Sequence, residues 1–267
     1  MNVRGIAEKT EKLQTELLKR KIDIAIITET TKKNKRSEDI GNYVMIYCRV
    51  PANQWASSGV AIAVRKDWKH KIHDYTRISD RIIETRIKVL NRNITIVRVY
   101  APVEGKAHDT DEFDRELQQS MEKPPKKENI ILAGDFDGRI GNQPIPECIG
   151  PYGEQVKNHN GATLRDFYAF NKLEITNSFY RHKDIHKFTW EARGTKSVKD
   201  YIIINDRLKS NIKDARVFRG IEIDSDHNLL ESKYKILTHA KHSYNKTDKK
   251  IYKKPPEFKA HFWNKNQ

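Results

Sequence analysis

Apolar residues in this chain come in short, dense runs separated by polar stretches. IDIAIIT (22–28), VMIYCRV (44–50), GVAIAVR (59–65) and NIILAGDF (129–136) are nearly continuous in apolar character, as buried strands are. RIIETRIKV (81–89) and ITIVRVY (94–100) alternate, and Asn91-Arg92-Asn93 between them predicts a tight hairpin. Helical spacing covers residues 7–20, with Leu13 and Leu17 on one face, then FDRELQQSMEK (113–123), stopped by Pro124-Pro125, and ATLRDFYAFNKL (162–173). EITNS, KFTWEA, DYIIIN and ARVFRG read as four short strands, and LLESKYKI (229–236) as the last. The stretch Gly141–Gly161, rich in Pro and Gly, predicts a long loop of the kind that carries function or fails to order. After about Thr238 the apolar pattern stops, so residues 238–267 read as a basic, poorly ordered tail or linker. Strands in both halves with helices between them predict an α/β domain over 1–237, with two packed mixed β-sheets flanked by helices.

Several of the apolar runs end in chemistry-bearing residues where turn residues would be ordinary. Glu29 follows IDIAIIT, Tyr100 closes RVY, Asp135 closes ILAGD, Asp200 opens DYIII, and Asp226-His227 precede LLESK. Strand ends from distant parts of a chain converge in a folded sheet. Carboxylates that converge must have their repulsion relieved by a cation, by protonation, or by both. The arrangement therefore reads as a metal site with a general acid/base beside it.

Charge adds a partner. Among 267 residues, Lys and Arg number 51 against 36 Asp and Glu, a formal net charge of +15. An acidic hollow within so basic a surface suits a polyanion brought to a metal. The two cysteines, Cys48 and Cys148, have no ligand-like spacing, which argues against zinc and against a disulfide framework. No apolar run reaches membrane length, and MNVRGIAEKTEKL is no secretory signal. These features predict a soluble, intracellular monomer, nuclear or cytoplasmic, with no membrane partner.

The strings NVRG, ITET, GVAIAV, VYAP, GDFDGRIG, NHNGATL, LEITNSF, HKFTW, KDYI, RVFRG and SDHNLL stand in one order from Asn2 to about Ile236. Any one of them is weak; together they resemble the endonuclease/exonuclease/phosphatase superfamily, and within it the endonuclease domain of LINE-type, RTE-like retrotransposons. The resemblance implies a four-layer α/β sandwich, Mg²⁺ (with Mn²⁺ as an alternative) and hydrolysis of a DNA phosphodiester. It implies that Glu29, Asp226 and Asn2 serve the metal, and that Asp135 deprotonates the attacking water. It also implies that His227, paired with Asp200, meets the scissile phosphate, together with Tyr100. Asn2 is preceded only by Met1, where the family has a short apolar strand, so the first strand reads as truncated.

Two positions depart from the family pattern. Asp137, in GDFD, stands where the family usually has Asn, which exchanges a hydrogen-bond donor for a negative charge near the phosphate. Lys199 stands where an apolar residue is common, and reads as tolerated on an outward face. Trp190 reads as core packing rather than DNA stacking, and Asn160 either orders the site or is an ordinary turn residue. Arg49, Lys66, Lys69, Lys71, Arg181, Lys183 and Lys187 are candidate contacts to the phosphate backbone. Three functions compete: a metal-dependent endonuclease that nicks DNA, a nucleic-acid-binding remnant without catalysis, and a phosphatase or phosphodiesterase on small phosphate esters. The charge argues against the third.

Overall fold

The computed structural model describes residues 9–28, 30, 37–47, 60–105, 107–125, 127–220, 225–235 and 257–263. Asn2, Glu29 and Arg49 lie outside the described residues. Helix α1 (Thr10–Lys19) buries Leu13 and Leu17, and Lys21, at φ +56°, ends it. The N–H groups of Lys21 and Ile22 return to the carbonyls of Leu18 and Leu17, the paired closure of a Schellman motif, here without the usual glycine. Strands β1 (Ile24–Thr28), β2 (Ser37–Ile40), β3 (Tyr43–Tyr47) and β4 (Val60–Arg65) follow. Next come β5 (Ile72–Arg77), β6 (Ile82–Val89), β7 (Arg92–Tyr100), α2 (Ala107–Glu122) and β8 (Asn129–Asp135). The last part holds α3 (His159–Phe170), β9 (Leu173–Ile175), β10 (Trp190–Ala192), β11 (Thr195–Ser197), β12 (Asp200–Asn205), β13 (Ile212–Phe218), β14 (Leu229–Lys235) and β15 (Glu257–Trp263).

Two sheets carry the fold. One has the order β13-β14-β15-β1-β4-β3-β2 and the other β5-β6-β7-β8-β12-β9. Ile24, Ile26, Ile62 and Leu230 of the first join Ile83, Ile96, Ile131 and Ile202 of the second in one buried cluster, so the sheets pack face to face. A second cluster seats Phe113, Leu117, Leu164 and Tyr168 of α2 and α3 on the outer face of the second sheet. A third seats Leu13 and Leu17 of α1 on the outer face of the first. The predicted two-sheet sandwich with outer helices is therefore the observed fold. The central strands read as continuous apolar runs because helices or the opposing sheet cover both of their faces.

Three sequence expectations change in detail. The β6–β7 hairpin closes Val89 on Arg92, so its turn is Leu90-Asn91, with Leu90 at φ +57°. The long loop is anchored: Arg139 binds Glu154 through two bonds of 3.0 and 2.7 Å, and Glu154 also accepts from the Val198 amide. The third change concerns the tail. Glu257–Trp263 runs parallel to β1 and antiparallel to β14, between the two. Residues 238–267 are thus not a tail throughout. The alternation Phe258, Ala260, Phe262 is a strand pattern hidden among lysines, and the first sheet places it near its centre.

Without β15 the first sheet would separate into β13-β14 and β1-β4-β3-β2, each with an unpaired edge. Ala260 sits opposite both Ile24 and Ser232. Ala260→Pro removes a ladder hydrogen bond there and is expected to cost about 3 kcal/mol or more. Truncation after residue 237 is expected to abolish cooperative unfolding. Thermal denaturation followed by circular dichroism checks both, and an unchanged midpoint for the truncated chain would contradict the placement of β15.

Candidate active site

Register brings the polar strand ends to one pole. Parallel strands β7 and β8 finish together, with Tyr100 opposite Asp135, and β12 starts antiparallel to β8 with Asp200 opposite Asp135. In the other sheet Leu230, Phe262 and Ile26 share a row, so the start of β14 lies at the end of β1. His227 stands just before β14, and its Nδ1 lies 2.8 Å from Asp200 Oδ2, which joins the two sheets at this pole. Gly134, at φ +150°, permits the close approach of β7 and β8 just before Asp135. A Cβ there would overlap the Val99 carbonyl oxygen.

The segment that presents His227 is held by backbone. Residues 189–191 and 226–228 lie antiparallel, with Trp190 bridged to His227, the Glu191 amide donating to the Asp226 carbonyl at 2.8 Å, and the Asn228 amide donating to the Thr189 carbonyl at 2.7 Å. Thr189 is fully buried, and its hydroxyl oxygen accepts from the amides of Lys199 and Asp200 at 2.9 and 3.1 Å. Trp190 Nε1 donates to Asp226 Oδ2 at 2.8 Å. The sequence reading of Trp190 as core packing therefore gives way to a half-buried residue that aims a site carboxylate. Neither Thr189 nor Trp190 carries a sequence signal beyond the HKFTW string.

Asp135, Asp200 and His227 are all nearly inaccessible, at 4%, 2% and 4% exposure, and this bears on the protonation of Asp135 and His227. Burial, with Asp200 adding to it and His227 opposing it, pushes the Asp135 carboxyl up to about 7. Burial disfavours the His227 cation. The Asp200 charge and hydrogen bond, with Asp135 and Asp226, outweigh that and hold the ring up at about 9. A carboxyl poised near neutrality beside an imidazolium is a base next to an anion-stabilising donor.

Asp137 stands at φ +41°, with its amide donating to Asp135 Oδ1 at 2.9 Å. Its carboxylate accepts the Glu104 amide on Oδ2 at 3.0 Å and the Lys199 ammonium on Oδ1 at 2.7 Å. Lys199 is therefore not turned outward, as its sequence context suggested. Asn160 is buried in the first turn of α3, and its Nδ2 lies 3.3 Å from the Asp137 carbonyl and 3.4 Å from that of Pro102. That favours its site-ordering reading. Asn158 caps α3, accepting from the amides of Gly161 and Arg139, and Glu104 accepts from Asn158 and His159.

The candidate DNA contacts divide. Lys66, Lys69 and Lys71 follow β4, whose last residue Arg65 lies at the start of β1, with its amide donating to the Asp23 carbonyl. That is the pole away from His227. Lys66 pairs with Asp39 at 3.1 Å, and Lys71 covers the Trp68 ring at 3.8 Å. Arg181, Lys183 and Lys187 lie on the segment between Asn177, whose Nδ2 donates to the Asp200 carbonyl, and Trp190. Lys187 follows His186, which bonds the Val217 carbonyl at the end of β13 near this pole, whereas His182, next to Arg181, pairs with Asp214 further down β13.

At the His227 pole the donors among the described residues are carboxylate oxygens with an imidazole, a set that fits a hard divalent cation. Among the described residues no three His, Cys, Asp or Glu side chains form a ready cage. Asp226 is the described member of the metal set that the sequence predicts, with Glu29 next to Thr28 in the chain.

Residues 1–227 match the model of the Endonuclease/Exonuclease/phosphatase family. The chain belongs to that family. It is 29% identical over 243 residues to craniofacial development protein 2 of Bos taurus, covering 88% of this chain and 40% of that protein. The chain thus spans about two-fifths of that relative's length. The endonuclease domain of TRAS1, a telomere-specific non-LTR retrotransposon, has a similar structure, with a TM-score of 0.58 and 19% identity over 82% of this chain and 88% of that one. So does the 3′ phosphatase NExo from Neisseria bound to product DNA hairpin, with a TM-score of 0.63 and 16% identity over 85% and 94%. At these identities the two structures establish the fold. The family places the chain among hydrolytic nucleases and phosphatases.

The Asp200–His227 pair yields a direct expectation. In metal-free Asp200→Asn, the opposing charge is gone and burial remains, so the His227 pKa falls by about one to three pH units from its value near 9. Imidazole resonances followed by NMR across pH measure this. An unchanged His227 pKa would mean that Asp200 does not govern the ring.

Proposed function

We propose that this chain is a divalent-metal-dependent DNA endonuclease that nicks one strand and derives from a retroelement. The observation that carries this reading is the buried Asp135 facing an Asp200–His227 pair at the shared ends of two sheets. The endonuclease domain of a retrotransposon and a DNA-bound phosphatase share the fold, and the +15 charge suits a polyanion.

In this reading Asp226, Glu29 and Asn2 would hold the cation, Mg²⁺ or Mn²⁺, which would supply Lewis acidity and charge neutralisation to the phosphodiester. Asp135 takes a proton from the water that attacks phosphorus. A new P–O bond forms, and the bond to the leaving sugar oxygen breaks. With Nδ1 held by Asp200, His227 offers Nε2–H to a phosphoryl oxygen, where negative charge grows. Tyr100, in register beside Asp135, places its phenol on the same phosphate. The binding-remnant reading drew on Asp137 and on a first strand read as truncated before Asn2; Lys199 neutralises the Asp137 carboxylate, which weakens the first of these.

The test is nicking of supercoiled plasmid. The protein is expected to relax plasmid with Mg²⁺ and not with EDTA. Glu29→Ala, Asp135→Ala and His227→Ala are each expected to lower the rate by about a hundredfold or more while the chain stays folded by circular dichroism, with His227→Ala also lowering the thermal midpoint because it leaves the buried Asp200 unpaired. Wild-type rates in all three variants, or equal nicking in EDTA, would overturn the reading.

The basic residues give a second test. Replacing Arg181, Lys183 and Lys187 together by Ala is expected to weaken duplex binding and flatten its salt dependence, because fewer counterions are released. Replacing Lys66, Lys69 and Lys71, at the far pole, is expected to leave nicking within about twofold. Anisotropy titrations at several salt concentrations decide between the two sets. The opposite ranking would contradict the assignment of the DNA-facing pole.

A further inference from the structure

We propose that Lys199 and Asp137 act as one unit and that the Lys199 ammonium is the phosphate-positioning donor on the Asp137 side of the site. The inference rests on the phosphodiesterase reading above and names the residue that meets the phosphate there.

The two departures from the family pattern meet each other. They are 62 positions apart, yet Lys199 Nζ lies 2.7 Å from Asp137 Oδ1. The other oxygen of Asp137 accepts the Glu104 amide at 3.0 Å. An asparagine here, with its carbonyl on the Glu104 amide, would point its NH₂ where Oδ1 stands, as a neutral donor. Asp137 offers an acceptor there instead, and Lys199 fills it with an ammonium. That ammonium has three N–H groups, of which Asp137 takes one. The donor is restored one side chain further out, and it carries a charge. Replacing either partner by the family's residue alone leaves the other unmatched.

Lys199 is fixed from three sides. Its amide donates to Thr189 Oγ1 at 2.9 Å, the Asp137 carboxylate holds the ammonium, and Nζ stands 4.8 Å from the centroid of the Trp190 ring. The Trp190 indole in turn donates to Asp226. Asp137, Lys199, Trp190 and Asp226 thus form a chain along one wall of the site, with Asp135 and Asp200–His227 behind it. The Lys199 side chain retains 26% exposure against 12% for Asp137, so the lysine is the more accessible member of the pair. Asp137, Asp135 and Asp200 together keep the ammonium charged, against the opposing effect of burial. A charged donor at a phosphate oxygen is worth more than a neutral one.

The experiment is a double-mutant cycle on nicking of a short labelled duplex, with kcat and KM resolved. Lys199→Met is expected to lower kcat/KM by about tenfold to a hundredfold, because a donor is lost and Asp137 is left unneutralised beside the phosphate. Asp137→Asn combined with Lys199→Met is expected to recover most of that loss. Lys199→Arg is expected to stay within about threefold of wild type, since it keeps charge and donors. A merely structural role would move the thermal midpoint of Lys199→Met and would not give recovery in the double variant. A second readout is independent of turnover. Inorganic phosphate added to ¹⁵N-labelled protein is expected to shift the Trp190 indole N–H resonance in wild type and not in Lys199→Met. If the wild type nicks nothing yet shows the Lys199-dependent phosphate shift, the nuclease reading fails and Lys199 stands. If the wild type nicks and Lys199→Met matches it in kcat, KM and phosphate shift, the Lys199 proposal is overturned. Loss that is additive in the double variant also overturns it, because the two residues would then not act as one.

Discussion

Two buried carboxylates face each other across one rung of a sheet. Asp135 ends β8, Asp200 begins β12, and both are almost without solvent. Like charges so placed and so little hydrated cannot both stay ionised without relief. His227 gives that relief from the opposite sheet, bonding Asp200 at 2.8 Å and bringing positive charge to Asp135. The arrangement at this pole follows from that constraint. The rigid antiparallel bracket of 189–191 on 226–228 keeps the imidazole in reach, and Gly134 lets β7 run close enough to set Tyr100 beside Asp135. The cost of burying these groups is borne by a fold whose clusters lie between and outside two sheets.

The same constraint organises the outer wall. A third carboxylate, Asp137, would worsen the repulsion if it stood alone. It is matched by Lys199, whose position just before β12 sets it beside the end of β8, with its carbonyl accepting the Phe136 amide. Trp190 touches both Lys199 and Asp226, so the wall and the candidate metal ligand share one aromatic support. Charge at this pole is therefore balanced pair by pair, while most of the chain's excess of Lys and Arg lies elsewhere on its sequence.

Much of this was legible in the sequence, for physical reasons that also mark the limits. Strands covered on both faces are continuous apolar runs, and a carboxylate at the end of such a run is conspicuous; Asp135 and Asp200 were visible on that ground. Their mutual register was not, because pairing between β8 and β12 is non-local. The Asp137–Lys199 pair was invisible for the same reason: each residue looks like an isolated departure until the strands align. β15 was missed because lysines around Phe258, Ala260 and Phe262 dilute a strand pattern that local composition alone reads as a tail. Strand β5, exposed over most of its length, had no apolar run to announce it. The lysines after β4 carry no sequence sign of which pole they occupy; topology puts them at the one away from His227.

The proposed convergence of strand ends from both sheets on one cation-binding, phosphate-facing pole has a direct test. Mn²⁺ titrated into ¹⁵N-labelled protein tests it most directly, since a paramagnetic ion broadens amide resonances by distance and needs no turnover. The account predicts selective loss of the Ala101, Phe136, Tyr201, His227 and Asn228 amides, with Asn93, Asn129 and Arg207 at the other end of the second sheet unaffected. Broadening centred on that other end, or spread evenly over the acidic surface, would contradict it.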